Sequence, residues 1–422
     1  MRVTGEARAR RACRKDRWAG RLFALVFVAV AVLAWPSRAD AYPWMIRHGY
    51  TACGQCHADP SGGGLLTDYG RSIGEAVLRT HYGKPAEDPG KVPDFLFGAL
   101  PLPESVLLGG DFRSLYRSTK AQGASVADTE LLLMQGDLQG QVTVDRLRVN
   151  ASIGYAQRGA LPASITSGAT WNAISRVHWV GYALGDGQEW LVRAGRMNVP
   201  FGIRSVEHTL WARTYNGTYG PRSDINAGQD HGVSLSFNKA KIRAEAMAIL
   251  GNFQIHSDSF RERGYSAYAE YAFTDKLAAG VSSLVTHAKR DVFLQTELIR
   301  HAHGLFARWS PAEPLVFLAE ADLTLASQPA TATLGAINTL GAVGLLQTDL
   351  EPIQGVHVMV TGETQALPTD TKGPSYGAWG TLAWFFAPHA DLRLDGIYRI
   401  GTPGSAGHAT STTLLAQLHF YL

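Results

Sequence analysis

The stretch DRLRVNASIGYAQ, residues 145–157, alternates two kinds of side chain. Leu147, Val149, Ala151, Ile153 and Tyr155 fall on one face of an extended chain, and Arg148, Asn150, Ser152 and Gly154 fall on the other. Successive side chains of a strand point to opposite sides, so a period of two marks a strand with one apolar face. The cadence returns in KIRAEAMAIL (241–250), where Ile242, Ala244, Ala246, Ala248 and Leu250 oppose Lys241, Arg243, Glu245 and Met247. It returns again in ADLRLDGIYRI (390–400), with Leu392, Leu394, Tyr398 and Ile400 against Asp391, Arg393, Asp395 and Arg399. A water-soluble sandwich would crowd its apolar face with large residues. Here that face is rich in Ala, Gly, Leu and aromatics, and the opposite face is densely charged. Lipid outside and a polar lumen inside produce that pattern in outer-membrane barrels. A secreted β-sandwich is the competing architecture.

Sixteen such runs can be counted, from 105–117 to 411–422. Bacterial barrels require an even number. The connections alternate between tight turns (VDR, GDGQ, NKAK, TDK, PAE) and long loops (118–127, 159–170, 201–229, 253–262, 326–336 and 401–410). Short turns suit the periplasm and long loops the cell surface, which puts both ends of the barrel on the periplasmic side. The expected fold class is therefore all-β: an antiparallel outer-membrane β-barrel of about sixteen strands over residues 105–422, preceded by a small segment that contains a short helix.

Residues 1–41 begin with an arginine-rich run, continue with the 14 apolar residues Leu22–Trp35, and end at Ala39-Asp40-Ala41. That order reads as a secretory signal peptide cut near Tyr42. A spanning helix would need about 20 apolar residues. The 41 residues hold nine of the chain's 39 basic and three of its 36 acidic residues, so residues 42–422 have 30 basic and 33 acidic residues. The net charge moves from +3 to about −3 on cleavage, and no nucleic-acid partner is implied.

Beyond residue 41 only two cysteines remain, in TACGQCHADPSGGG (51–64). Cys53-x-x-Cys56-His57 in an exported chain reads as a c-type haem attachment site, with thioethers to both sulfurs and His57 as proximal iron ligand. Structural zinc wants four Cys or His ligands, and no second cysteine pair exists. A redox C-x-x-C would want a βαβ setting, which is absent. Residues 42–83 are too few for an independent core, and haem or a partner surface would have to help them fold. SIGEAVLRTHYG (72–83) offers a capping box, Ser72 with Glu75, and a short helix ending at Gly83. Ile73, Val77 and His81 share one side of it, making His81 a candidate distal ligand in competition with His48. Met247 and Met359, on lumen-facing strand positions, join them if the segment enters the barrel. Residues 84–104, with prolines at 85, 89, 93, 101 and 103, read as a stiff extended linker.

The longest loop, 201–229, opens GRMNVPFGIR at its strand, contains Trp211, Tyr215 and Tyr219, and resembles the inward-folded third loop of sixteen-stranded porins. TTLLAQLHFYL (412–422), with Leu414, Leu418 and Phe420 alternating outward, resembles a barrel-assembly signal, although it ends in Leu422 and not in an aromatic residue. Together, AYPW…CGQCH after a signal peptide and a barrel running to the carboxy terminus resemble the fused monohaem cytochrome–porins. The best-known members of that family are outer-membrane iron(II) oxidases. The resemblance implies one covalent haem c at Cys53, Cys56 and His57. It also implies electron transfer across the outer membrane, an extracellular donor or acceptor such as iron, and periplasmic cytochromes or other electron carriers as partners. Two alternatives stand beside it: a passive solute porin with an accessory haem segment, and one component of a multi-cytochrome conduit. The expected lumen charges Arg148, Arg243, Glu245, Glu270, Glu320, Asp322, Glu363, Asp395 and Arg399 are mixed in sign and read most simply as pore solvation.

Overall fold

The computed structural model describes residues 43–83, 102–155, 173–203, 209–215, 228–254, 258–291, 294–330, 335–366, 373–401 and 409–422. The expected signal peptide (1–41), nearly all of the proline-rich linker and loop 159–170 lie outside the described residues.

The alternating stretches form sixteen strands, β1 Val106–Ala121, β2 Asp128–Val144, β3 Leu147–Tyr155, β4 His178–Leu184, β5 Trp190–Asn198, β6 Gln229–Lys239, β7 Ile242–Gly251 and β8 Arg263–Thr274 in the first half. The second half holds β9 Leu277–Ala288, β10 Leu298–Ala312, β11 Leu315–Gln328, β12 Ile337–Ile353, β13 Val356–Ala366, β14 Ser375–Ala387, β15 Ala390–Ile400 and β16 Thr410–Tyr421. Each strand pairs antiparallel with its sequence neighbours. The ring closes where β1 meets β16, from Asp111↔Tyr421 to Ala121↔Ser411. Closure leaves no free sheet edge, the condition for a sheet to sit in lipid.

A short piece, Ala173–Ile174, continues the line of β4 against β3. The break between the two has a physical cause. Arg176 turns inward to pair with Asp137 at 2.5 Å, and Val177 N–H donates to the side-chain Oγ of Ser152 at 2.9 Å and not to a backbone carbonyl, so the backbone leaves the regular ladder there.

Side-chain exposure follows the period of two. Leu147, Val149, Ile153 and Tyr155 are exposed, and Asn150 and Ser152 between them are buried. Exposed aromatics gather in two belts. Trp190, Tyr271, Phe273, Trp309, Trp384 and Phe420 lie near the tight-turn end, and Tyr116, Tyr155, Tyr265, Tyr376 and Tyr398 near the long-loop end. Amphipathic rings favour the two membrane–water boundaries, so the belts frame the lipid-facing band.

Inside, residues 43–83 form a plug at the tight-turn end. A 3-10 helix, Pro43–His48, buries Trp44, Met45, Ile46 and Arg47 against β10 and β11. The plug's helix begins earlier than the Ser72–Glu75 capping box suggests. Thr67 is the N-cap, its side chain accepting from Gly70 N–H, and Asp68–Ile73 runs on as a π turn over Gly74–Leu78. Ser72 Oγ donates instead to Asp68 O at 3.0 Å, and Glu75 pairs with Arg79. Arg79, and not Gly83, ends the helix, with an extended backbone that leads Thr80 to donate to Phe385 O at 2.9 Å.

The described parts of loop 201–229 turn inward as well. Gly202 N–H donates to Ser282 Oγ (2.9 Å), Ile203 N–H to Glu320 Oε2 (2.8 Å) and Trp211 N–H to Glu363 Oε2 (2.8 Å). A short helix, Trp211–Tyr215, therefore lies along the inner wall.

Candidate cofactor site in the barrel lumen

The Cys-x-x-Cys-His stretch makes one tight turn. Cys53–Gln55 is 3-10, Cys56 N–H donates to Cys53 O at 3.2 Å, and His57 N–H donates to the same carbonyl at 3.0 Å. The two cysteines form no disulfide with each other, and both are buried. A single bridge pairs His57 with Leu66, and Ala58 N–H donates to Leu65 O at 2.9 Å, so the Gly62–Gly64 run folds back over the histidine. His57 Nδ1 lies 3.4 Å from Gly64 O. Donation from Nδ1 fixes the tautomer and leaves the Nε2 lone pair for a ligand, the usual arrangement around a metal-bound imidazole. Helix Asp68–Ile73 backs the turn so closely that a Cβ on Gly70 would sit 2.2 Å from Cys56 O.

Lumen charges grip this turn from the barrel wall. Arg243 on β7 pairs with Glu270 on β8 and hydrogen-bonds Cys53 Sγ. Arg308 on β10 also pairs with Glu270, at 2.6 Å, and donates to Thr51 O at 2.7 Å. Arg193 on β5 stands between Asp59 of the plug, at 3.3 Å, and Glu245 on β7. Near the turns, Arg47 binds Asp349 and Glu351, and the Trp44 ring lies 4.2 Å from that of His357. Further along the lumen, Glu320 pairs with Arg213 of the inward loop, and Glu363 accepts from both Trp379 Nε1 (2.9 Å) and Arg399 Nε (2.8 Å). Of the charges whose simplest reading is pore solvation, then, Arg243, Glu245, Glu270, Glu320, Glu363, Asp395 and Arg399 sit in ion pairs.

A cavity of about 190 Å³ opens between the plug and the inward loop, lined by Cys53, His57, Gly62–Gly64, Leu210, Met359 and His419 among others. Its wall carries both Cys53 and the candidate iron ligand His57. Among the described residues no three His, Cys, Asp or Glu side chains converge closely enough to hold one metal ion. The turn therefore lacks the closed tetrahedral set of structural zinc. Two neighbouring cysteine sulfurs, a histidine beside a carbonyl acceptor and an adjoining cavity together fit a covalent haem.

His81 and His48 line other surroundings. His81 Nε2 lies 3.3 Å from Ala76 O, and His48 Nε2 lies 3.7 Å from Glu351 Oε2. Met247 packs with Met197 and Ile249 in a wall cluster. Arg193, Arg308 and Arg47 carry no sequence signal that singles them out. Strand parity puts Arg193 in the lumen, but nothing local names Asp59 as its partner.

No family model matches the chain, and no curated protein does. Solved structures do match. OmpT of Vibrio cholerae aligns with TM-score 0.56 and 10% identity over 76% of this chain and 100% of that one. The anion-selective porin of Comamonas acidovorans gives 0.54 and 13% over 75% and 99%. The outer membrane channel DcaP of Acinetobacter baumannii gives 0.53 and 10% over 75% and 97%. At such identities the likeness concerns the fold, and three-quarters of the chain is the size of the barrel alone. Circular closure, sixteen strands, lipid-facing aromatic belts and these alignments agree that the fold is that of a Gram-negative outer-membrane porin.

Proposed function

We propose that the chain is a plugged outer-membrane barrel whose plug bears one covalent haem c, and that it transfers electrons across that membrane. The observation that supports this best is the position of the Cys53–His57 turn: inside the lumen, with Cys53 and His57 against a cavity, and held there by buried ion pairs. When bound, the haem would supply a one-electron redox centre. The chain's own residues do the rest. Cys53 and Cys56 fix the group to the plug, Gly64 O orients His57, and Arg193 and Arg308 tie the plug to the wall. A porin-like apolar band is about 25 Å tall, so a redox group held in the periplasm would be far from any extracellular donor. The cytochrome–porin resemblance suggests iron(II) as that donor and periplasmic electron carriers as the other partner.

A passive solute porin is the second reading, favoured by the alignments with porins and channels. The plug, buried against the lumen wall through Pro43–His48 and Asp59, weighs against it. Expression with the c-type maturation system separates the two. The proposal expects haem stain on the denatured chain, lost in Cys53→Ala/Cys56→Ala. It also expects, in liposomes with an oxidant inside, haem reduction by external iron(II) with little solute leakage. Large leakage together with a colourless chain hands the case to the porin.

A further inference from the structure

Resting on the haem reading above, we propose that Met359, which lines the same cavity as His57, supplies the sixth ligand of the iron. The cavity lined by Cys53 and His57 is lined by one methionine, Met359, and one further histidine, His419. Met359 lies on the lumen side of β13, 5% exposed, between the buried His357 and Thr361. The other described methionines are used elsewhere. Met45 packs in the cluster around Trp44, Met197 and Met247 in that around Trp179, and Met134 against that around Leu210.

The two candidates on the cavity wall differ in what ligation would cost. His419 Nδ1 lies 2.7 Å from Asp391 Oδ2, and its Nε2 lies 3.3 Å from Asp111 Oδ1. Turning either nitrogen to iron would strip a buried carboxylate of a partner, which is costly in a poorly solvated lumen. A thioether has no proton to lose and is only a weak acceptor, so it gives up nothing comparable. Its unbranched side chain also adapts its reach more readily than a ring. His48 and His81 do not line the cavity.

The test uses the full chain, purified with its haem, and compares wild type with Met359→Leu, Met359→His, His419→Gln and His81→Ala. Leucine keeps the volume and apolar character, so the barrel is expected to hold. Retention of the heat-sensitive compact form on unheated gels checks that it does. In Met359→Leu we expect loss of the sulfur-to-iron band of the oxidised protein, a lower midpoint potential, and affinity for added imidazole raised by roughly tenfold or more, since no protein ligand competes. Met359→His lowers the potential while leaving no open position. Met359→Leu with the spectrum and imidazole affinity of wild type overturns the assignment, as does loss of the sixth ligand in His419→Gln or His81→Ala instead. A wild-type chain without covalent haem overturns the reading beneath it, and the ligand assignment with it.

Discussion

At the scale of single residues, the lumen is organised by arginines that face two ways, toward the wall and toward the plug. Arg193 shows what such a residue must do. It is fully buried between Asp59 and Glu245, themselves almost fully buried. Removing one partner of a buried ionic group leaves an uncompensated charge, at a cost of about 3–5 kcal/mol. Arg193→Met should therefore lower the temperature at which the folded barrel is lost in detergent, because it leaves two facing carboxylates unpaired. Arg193→Lys should fall between, since an ammonium cannot present the guanidinium's fork. Melting curves that coincide for all three would remove this pair from the account of plug retention. One half of this is legible in the sequence. Alternation in EWLVRAGRM puts Arg193 on the face opposite Val192 and Ala194, but Asp59 belongs to a different element far along the chain. Patterns of period two report which face a residue is on and carry no information about what occupies the lumen.

At the scale of elements, strands and tight turns are readable because each is a local matter of alternation and turn chemistry. The start of the plug's helix is not, because Ser72 and Glu75 satisfy a local capping pattern that competes with Thr67. Tertiary contact decides between them: Thr67 N–H donates to Cys56 O at 2.9 Å and Gly70 touches the same carbonyl, so the helix must start where it can back the cysteine turn. Tight turns also hold the plug. Gly355, with φ +81°, lies where a Cβ would meet Leu78 O and Thr80 N at 2.7 Å. The turn between β14 and β15 presents His389, whose pKa is pushed down to about 4 by burial and, in the same direction, by the nearby Arg71 of the plug. A histidine with a depressed folded pKa stabilises the fold above its ordinary value near 6.5. That contribution is lost as pH falls from about 6.5 to 4, with a slope of at most about 1.4 kcal/mol per pH unit. Thermal melts in detergent across this window should show the loss in wild type and a flatter profile in His389→Gln. Equal slopes in the two proteins would rule the residue out.

At the scale of the whole molecule, a barrel of porin type has been turned from an open tube into a filled one. The outer surface, with apolar bands and aromatic belts, could belong to any barrel of this size, and it is fully legible in the sequence. The filled interior is legible only in part, because the length and composition of residues 42–83 say that the segment needs a partner surface without saying which. Deleting residues 43–83 removes the plug while leaving every strand. We expect the deleted barrel to conduct ions in planar bilayers with steps many times larger than those of the intact chain. Equal conductance would mean that the plug does not obstruct the pore.

The burial of Cys53 and Cys56 beneath the barrel wall also dictates an order of events in biogenesis. Each is only 4% exposed, Cys53 Sγ is hydrogen-bonded by Arg243 of β7, and the sheet around them is sealed by the pairing of the first strand with the last. A maturation enzyme must grasp an extended segment to join a porphyrin to its sulfurs, and a sealed cylinder offers it no such segment. On the proposed reading, loading comes first in the periplasm, while the chain is still unfolded, and insertion into the membrane comes second. The seam between β1 and β16 then acts as a timer: once it zips, a chain that missed its porphyrin keeps two inaccessible thiols for the life of the protein.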